Sequence, residues 1–197
     1  MEPIDFSQVK DIFLSVEGQW TITTLLGHML QQIKSEYGER DHTYEIIGIE
    51  MFDGAQPDYW FPGDCRNVAI RITKDCEGNI YEAAYQVAHE AVHLLNPKEF
   101  GKTTYLEEGL ATYFAKQYLE YNAHINIPIK GDDYKIAYNL TSQLLSIDNT
   151  IIKSLRKIEP DISLFTPNMI LSHCPKVSPI LVEYLTTNFQ HKIKPLL

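Results

Sequence analysis

The spacing of hydrophobic positions along the chain predicts a mixture of helices and short strands. Over residues 20–37, apolar residues recur every three or four positions, which is typical of an amphipathic helix. Over residues 44–52 and 67–73 large apolar residues occupy alternate positions, which predicts two β-strands, the second of them a half-buried or edge strand. Residues 55–64 hold two prolines, a glycine and three adjacent aromatic residues, so we expect an ordered surface loop there.

Helical spacing returns at residue 80 and dominates the rest of the chain. A helix is expected over residues 80–95, ended by Asn96 because a residue that precedes proline avoids the helical region. A second helix begins at Thr104, whose hydroxyl can form a capping box with Glu107, and it extends to about Tyr121. Further helices are expected over residues 132–146, 150–157 and 179–188.

These elements predict one α+β domain that covers residues 1–197. Its amino-terminal helix and small sheet occupy residues 1–79, two helices follow over residues 80–121, and a mainly α-helical part fills residues 122–197. No repeat, low-complexity tract or flexible linker divides the sequence. A chain of this length buries most of the surface that its unfolded form exposes, so it needs no disulfide framework.

Composition and charge narrow the classes of partner. The 26 acidic residues outnumber the 17 basic ones, and the net charge of −9 opposes binding to a nucleic-acid backbone. No stretch of about 18 consecutive apolar residues is present, and the amino terminus lacks a basic patch followed by an apolar run, which argues against a membrane partner. Cys65, Cys76 and Cys174 are an odd number of cysteines and are interpreted as thiols in a reducing interior, so we expect a cytoplasmic protein.

A metal-binding pattern lies within the helix predicted over residues 80–95. His89, Glu90 and His93 have the H-E-x-x-H spacing. Residues four positions apart in a helix differ by about 40° around its axis and about 6 Å along it, so both imidazoles can reach one ion. Glu90 projects about 60° from His93, beside the ion, where its carboxylate can take a proton from a metal-bound water. The sequence therefore predicts two metal ligands and a general base.

A catalytic zinc ion usually has three protein ligands and one open position, so a third ligand is needed. The nearby candidates are Cys76, Glu99, Glu107 and Glu108. Cys76 lacks the cysteine spacing of common zinc sites, and Pro97 disfavours the turn that would bring Glu99 back to the metal. Glu107 is engaged in the predicted capping box, whereas Glu108 points about 100° away from it and is able to bind the ion.

The helix face that carries Glu108 supports this choice. Ala111, Thr112 and Ala115 are small enough to let the helix approach the histidine-bearing helix closely. The sequence E-E-G-L-A-T-Y at residues 107–113, which follows H-E-x-x-H, resembles the gluzincin metallopeptidases, particularly the N-E-G-F-A-T-Y motif of their aminopeptidase branch. In that family the Glu before Gly is the third zinc ligand, and it corresponds to Glu108.

The resemblance covers residues 67–121 and implies a fold and an activity. A small sheet would precede the H-E-x-x-H helix in a compact zincin-like domain, with residues 68–72 as the edge strand along the substrate cleft. Zn²⁺ would be the cofactor, bound by His89, His93 and Glu108, and a peptide or protein would be the substrate. The G-x-M-E-N signature of the aminopeptidase branch is absent, so no exopeptidase activity is implied.

These residues predict a zinc peptidase that hydrolyses peptide bonds through a metal-bound water activated by Glu90. A further donor commonly stabilises the oxyanion in such enzymes, and Tyr134, Tyr138 and His173 are the candidates. Two alternatives remain: a regulatory or interaction protein that retains the metal site with little catalytic activity, and a protease dedicated to one protein partner. The presence of Glu90 favours an enzyme, because a structural zinc site needs a fourth ligand and no base.

Overall fold

The structure, a computed structural model, describes Phe6 and residues 21–63, 66–99 and 102–190. Within these residues the chain forms seven α-helices and one three-stranded sheet, which confirms the α+β class. The helices are α1 (Ile22–Tyr37), α2 (Ile80–His93), α3 (Tyr105–Ala123), α4 (Asp132–Ile147), α5 (Ile151–Leu155), α6 (Pro167–His173) and α7 (Pro179–Leu185). The strands are β1 (Glu45–Phe52), β2 (Asp58–Trp60) and β3 (Asn67–Thr73). No helix in this described part combines the length and the apolar character that crossing a membrane requires.

The central position of β3 shows that the prediction of an edge strand at residues 68–72 was wrong. β3 pairs in parallel with β1 and antiparallel with β2, so the order across the sheet is β1-β3-β2. Its polar residue Arg71 donates to both carboxylate oxygens of Asp58, over 2.7 and 2.6 Å, and lies over the rings of Phe52 and Trp60. The hydrogen bond with Asp58 raises the pKa of Arg71 above its usual value. A paired and stacked arginine therefore occupies the central strand, although the alternation allowed an edge strand and the gluzincin resemblance implied one.

The composition of residues 55–64 predicted a surface loop, but part of this segment forms a strand. Asp58–Trp60 pair with β3 as the short strand β2, which lies between Pro57 and Pro62. Three residues are too few for an alternation of polar and apolar positions to be visible in a sequence. Cys65 lies outside the described residues.

The predicted helices correspond closely to α1 to α5, and the main differences lie near the carboxyl terminus. α6 was not predicted, although Thr166 caps it by accepting from the Met169 amide over 3.3 Å and Pro167 occupies its first turn. α7 ends at Leu185 and not at residue 188, because Asn188 takes part in an isolated β-bridge. Both differences concern short helices, whose periodicity is weak.

The packing of the chain divides it into two compact units, and the first contains the sheet. It comprises the described residues up to Lys34 together with Arg40–Glu99 and Phe114–Ile127. α2 packs against β2 and β3 within this unit. The core of the unit is apolar, and its largest fully buried side chains include Leu25, Met29, Ile33, Ile70, Ile72, Leu94, Phe114, Tyr118 and Leu119.

A buried arginine joins segments of the second unit that are far apart in the sequence. The unit comprises Ser35–Glu39 and the described parts of Phe100–Tyr113 and Pro128–Leu197. Arg156 donates to the carbonyl oxygens of Tyr37 and Glu39 over 2.9 and 2.8 Å, and to that of Pro160 over 3.0 Å. The last carbonyls of a helix have no partner within the helix, so the guanidinium of Arg156 satisfies the end of α1.

Gly109 allows α3 and α4 to approach each other closely. A Cβ atom at this position would lie less than 3.0 Å from the Ala137 carbonyl oxygen and from Thr141 Oγ1, a separation that real side chains essentially never adopt. We expect Gly109→Ala to lower the free energy of unfolding by about 1–3 kcal/mol, because the backbone must shift to make room. Urea denaturation of the variant and the wild type checks this.

The matched control for this substitution is Gly27→Ala on α1. A Cβ atom at Gly27 meets nothing within 4 Å. Alanine has the higher helix propensity, so this variant should gain about 0.5–1 kcal/mol of stability. If Gly109→Ala were as stable as the wild type, α4 would have to move aside freely, and the proposed tight packing would be contradicted.

Candidate metal centre

α2 carries His89, Glu90 and His93 in a buried setting. The three residues are 8%, 4% and 5% exposed, respectively. The ring centroids of His89 and His93 are 5.2 Å apart, and the ring planes are inclined by 62°. The spacing of four residues therefore brings the two imidazoles together on one side of the helix, as predicted.

Two polar side chains fix the position of α2. Asn79 caps its start by accepting from the amide of Glu82 over 3.1 Å. Gln86 lies one turn before the histidines, and its amide exchanges two hydrogen bonds of 2.9 Å with the backbone N–H and the hydroxyl of Thr73 at the end of β3. Because Gln86 and Thr73 are both buried, these bonds hold α2 in register with the sheet. Gln86 was not predicted as a site residue, although a polar residue among the apolar positions of α2 was a signal for it.

The start of α3 presents Glu108. Thr104 Oγ1 accepts from the amide of Glu107 over 3.3 Å, and the Thr104 carbonyl accepts from the amide of Glu108 over 3.1 Å. Thr104 therefore caps α3, as predicted. The amide of Tyr105 donates to the Thr187 carbonyl over 3.0 Å, which joins the first turn to the carboxy-terminal part of the same unit. A carboxylate in this first turn is also favoured by the helix dipole.

His89, His93 and Glu108 form one cluster. Each offers one ligand atom, a ring nitrogen or a carboxylate oxygen, and the three atoms all lie within 4.8 Å of one another. All three residues are buried. Within the part of the chain that the structure describes, this is the one group of three or more His, Cys, Asp or Glu residues with such spacing. Two ring nitrogens and one carboxylate oxygen can hold a divalent transition-metal ion.

The other candidates for the third ligand are not in this cluster. Glu99 is exposed. Glu107 is buried beside Glu108, and its backbone belongs to the cap described above. Cys76 and Cys174 are buried thiols, and neither joins the cluster. The choice of Glu108 over its neighbour, made from helical geometry, agrees with this arrangement.

An aromatic side chain contacts the cluster. It was predicted only as part of the loop over residues 55–64. Tyr59 of β2 has its ring centroid 6.1 Å from that of His93, with the planes inclined by 33°. The ring of Phe61 meets Tyr59 edge-on at 5.7 Å, and Tyr44 lies 5.3 Å from Phe61. The tyrosine was missed because the sequence does not tell which strand lies beside the histidine helix.

The predicted oxyanion donors have other contacts in the second unit. The ring of Tyr134 packs on Phe189 at 4.9 Å, and that of Tyr138 stacks on Tyr113 at 5.9 Å. His173 is exposed at the last residue of α6, where it lines a surface cleft of about 380 Å³. His173 is not a member of the cluster of His89, His93 and Glu108. A role for any of the three in catalysis stays a prediction.

The chain was compared with protein-family models, with curated protein sequences and with solved structures. None of the three comparisons gives a match. The residues of the cluster and their surroundings are therefore the basis for any function assigned to it.

Proposed function

We propose that the protein is a zinc-dependent peptidase whose zinc ligands are His89, His93 and Glu108. The observation that carries this proposal is the buried cluster of two imidazoles and one carboxylate. Catalytic zinc sites typically have three protein ligands of these types and leave the fourth position open. Structural sites have four protein ligands, commonly including several cysteines, and the described cluster has three members and no thiol.

The spacing of the donor atoms suits a zinc ion. Zinc binds nitrogen and oxygen ligands at about 2.0–2.2 Å in a tetrahedral arrangement, which sets ligand atoms about 3.4 Å apart. The donors of His89, His93 and Glu108 lie within 4.8 Å of one another, a separation on the scale that one shared ion requires. The negative charge of Glu108 offsets part of the charge of the ion in this buried setting.

Glu90 is the proposed general base. A bound zinc ion would polarise the substrate carbonyl and make a water molecule more acidic. Glu90 follows His89 directly and is not a member of the cluster. Helical geometry directs it about 60° away from His93, so we expect its carboxylate beside the ligand set. It accepts a proton from the attacking water and donates that proton to the leaving amine. This role favours an enzyme over a protein that keeps the metal for stability alone.

We also propose a zincin-like arrangement, in which β2 and not β3 borders the substrate cleft. β2 is an outer strand of the sheet, it packs against α2, and its Tyr59 contacts His93. An extended peptide can add to the outer edge of a strand through backbone hydrogen bonds. A peptide or protein is therefore the proposed substrate. The proposed compartment is a reducing one such as the cytoplasm, which suits the buried thiols Cys76 and Cys174.

Removal of the metal tests the proposal. Purified protein should contain about one zinc ion per chain. After treatment with a chelator, hydrolysis of a mixed peptide library, followed by mass spectrometry of the products, should fall to the level of the buffer. Added Zn²⁺ should restore hydrolysis, whereas Mg²⁺, which prefers six oxygen ligands, should not. Cleavage that continues unchanged in zinc-free protein would contradict the proposed function.

A further inference from the structure

The two neighbouring aromatic residues of β2 face opposite sides of the sheet. Tyr59 points toward α2, where its ring contacts His93. Trp60 points to the other side, where Arg71 lies 5.3 Å from its ring and its Nε1 donates to Glu50 over 2.9 Å. Successive side chains of a strand alternate in this way. Tyr59 therefore contacts the proposed metal-binding cluster, and Trp60 lies on the other side of the sheet.

Tyr59 is held in place at both ends of its side chain. Its backbone lies in β2, opposite Ile70 of β3. Its hydroxyl donates to the Lys98 carbonyl and accepts from the Lys98 amide, each over 3.3 Å. Lys98 belongs to the segment that leaves α2 just after His93. The ring thus spans from the sheet to the end of the histidine helix, and it cannot turn away from His93 without losing these bonds.

We propose that Tyr59 is a positioning residue for the metal ligand His93. Its ring packs on the imidazole and limits the orientations that the imidazole adopts, so that the metal-binding orientation is already selected in the metal-free protein. Groups behind the ligands of a metal site commonly orient them and strengthen binding in this way. The inference rests on the proposed zinc site, but it concerns the affinity of that site and not the substrate.

Zinc affinity, measured by competition with a chromophoric chelator, tests this role. We expect Tyr59→Ala to weaken zinc binding by about 10-fold, which is within the range for residues that orient metal ligands. Tyr59→Phe keeps the ring but loses the two hydrogen bonds of the hydroxyl to Lys98, so its zinc affinity should lie between those of Tyr59→Ala and the wild type. The visible absorption spectrum of Co²⁺-substituted protein reports the ligand geometry, and it should change in Tyr59→Ala more than in Tyr59→Phe.

Trp60→Ala is the matched control. It removes an aromatic ring from the same strand and destroys the contacts with Arg71 and Glu50, but on the face away from the cluster. Its zinc affinity and Co²⁺ spectrum should equal those of the wild type, even if the sheet is less stable. An equal loss of affinity in Trp60→Ala and Tyr59→Ala would overturn the positioning role. Wild-type zinc affinity in folded Tyr59→Ala would also overturn the positioning role, but it would leave the proposed zinc site intact. A wild-type protein that binds no zinc would overturn both the positioning role and the proposed function.

Discussion

Glu90→Gln is expected to lose peptide hydrolysis by at least about 100-fold while it keeps its zinc ion. Glutamine has nearly the shape of glutamate, so the buried environment of residue 90 should be preserved. The amide cannot accept a proton at neutral pH, however, and the attacking water loses its base. The retained zinc content separates this effect from damage to His89 and His93. Initial rates on a peptide that the wild type cleaves, together with metal analysis of both proteins, measure the two quantities.

The matched control for this variant is Glu82→Gln. It makes the same chemical change in the first turn of the same helix. The Glu82 carboxylate accepts from Gln86 over 3.3 Å, a bond that a glutamine oxygen can also accept. Its hydrolysis rate should stay within about 2-fold of the wild type, because Glu82 lies about two turns before His89 and its bond to Gln86 is retained. Peptide turnover that survives in Glu90→Gln would show that another group removes the proton, and the mechanism assigned to Glu90 would be wrong.

Glu108→Ala is expected to lose both stoichiometric zinc and hydrolysis. The variant leaves only the two imidazoles of the cluster, and the negative charge that offsets the ion is gone. The loss of affinity should exceed the 10- to 100-fold that is typical of residues behind the ligands. A ligand that binds only the folded protein raises its melting temperature, so added zinc should stabilise the wild type and leave the melting temperature of Glu108→Ala unchanged.

Glu120→Ala provides the control on the same helix. Glu120 forms an ion pair of 3.0 Å with Lys116 about three turns further along α3, away from Glu108. Its zinc content and its stabilisation by zinc should match those of the wild type. A Glu108→Ala protein that still bound about one zinc ion per chain with wild-type affinity would exclude Glu108 as a ligand, and the cluster would then be a coincidence of packing.

The site residues could be predicted because each depends on local geometry. The spacing of His89 and His93 fixes their relative direction on any helix, and the cap at Thr104 distinguishes Glu107 from Glu108. The meeting of the two helices is not local, and it was expected from the small residues on the face of Glu108 and from the resemblance of residues 107–113 to the gluzincin motif. The structure brings His89, His93 and Glu108 into one cluster.

The contacts around the site could not be predicted, because they join residues that are far apart in the sequence. Gln86 bonds to Thr73 and Tyr59 contacts His93 only because β3 and β2 lie beside α2. Alternation of apolar residues identifies a strand but does not give its neighbours in the sheet. The same limit explains why β3 was expected at an edge. Gly109 was recognised from its motif, whereas its close approach to α4 becomes clear only in three dimensions.

The guanidinium of Arg156 has a consequence for the order in which the chain can fold. It bonds to the carbonyl of Tyr37, which is 119 residues earlier in the sequence. At a synthesis rate of about 5–20 residues per second, about 6–24 s pass on the ribosome between these two residues. During that interval the carbonyls at the end of α1 are left to bond with water. The bonds that Arg156 donates to Tyr37 and Glu39 can therefore form only after most of the chain has been synthesised.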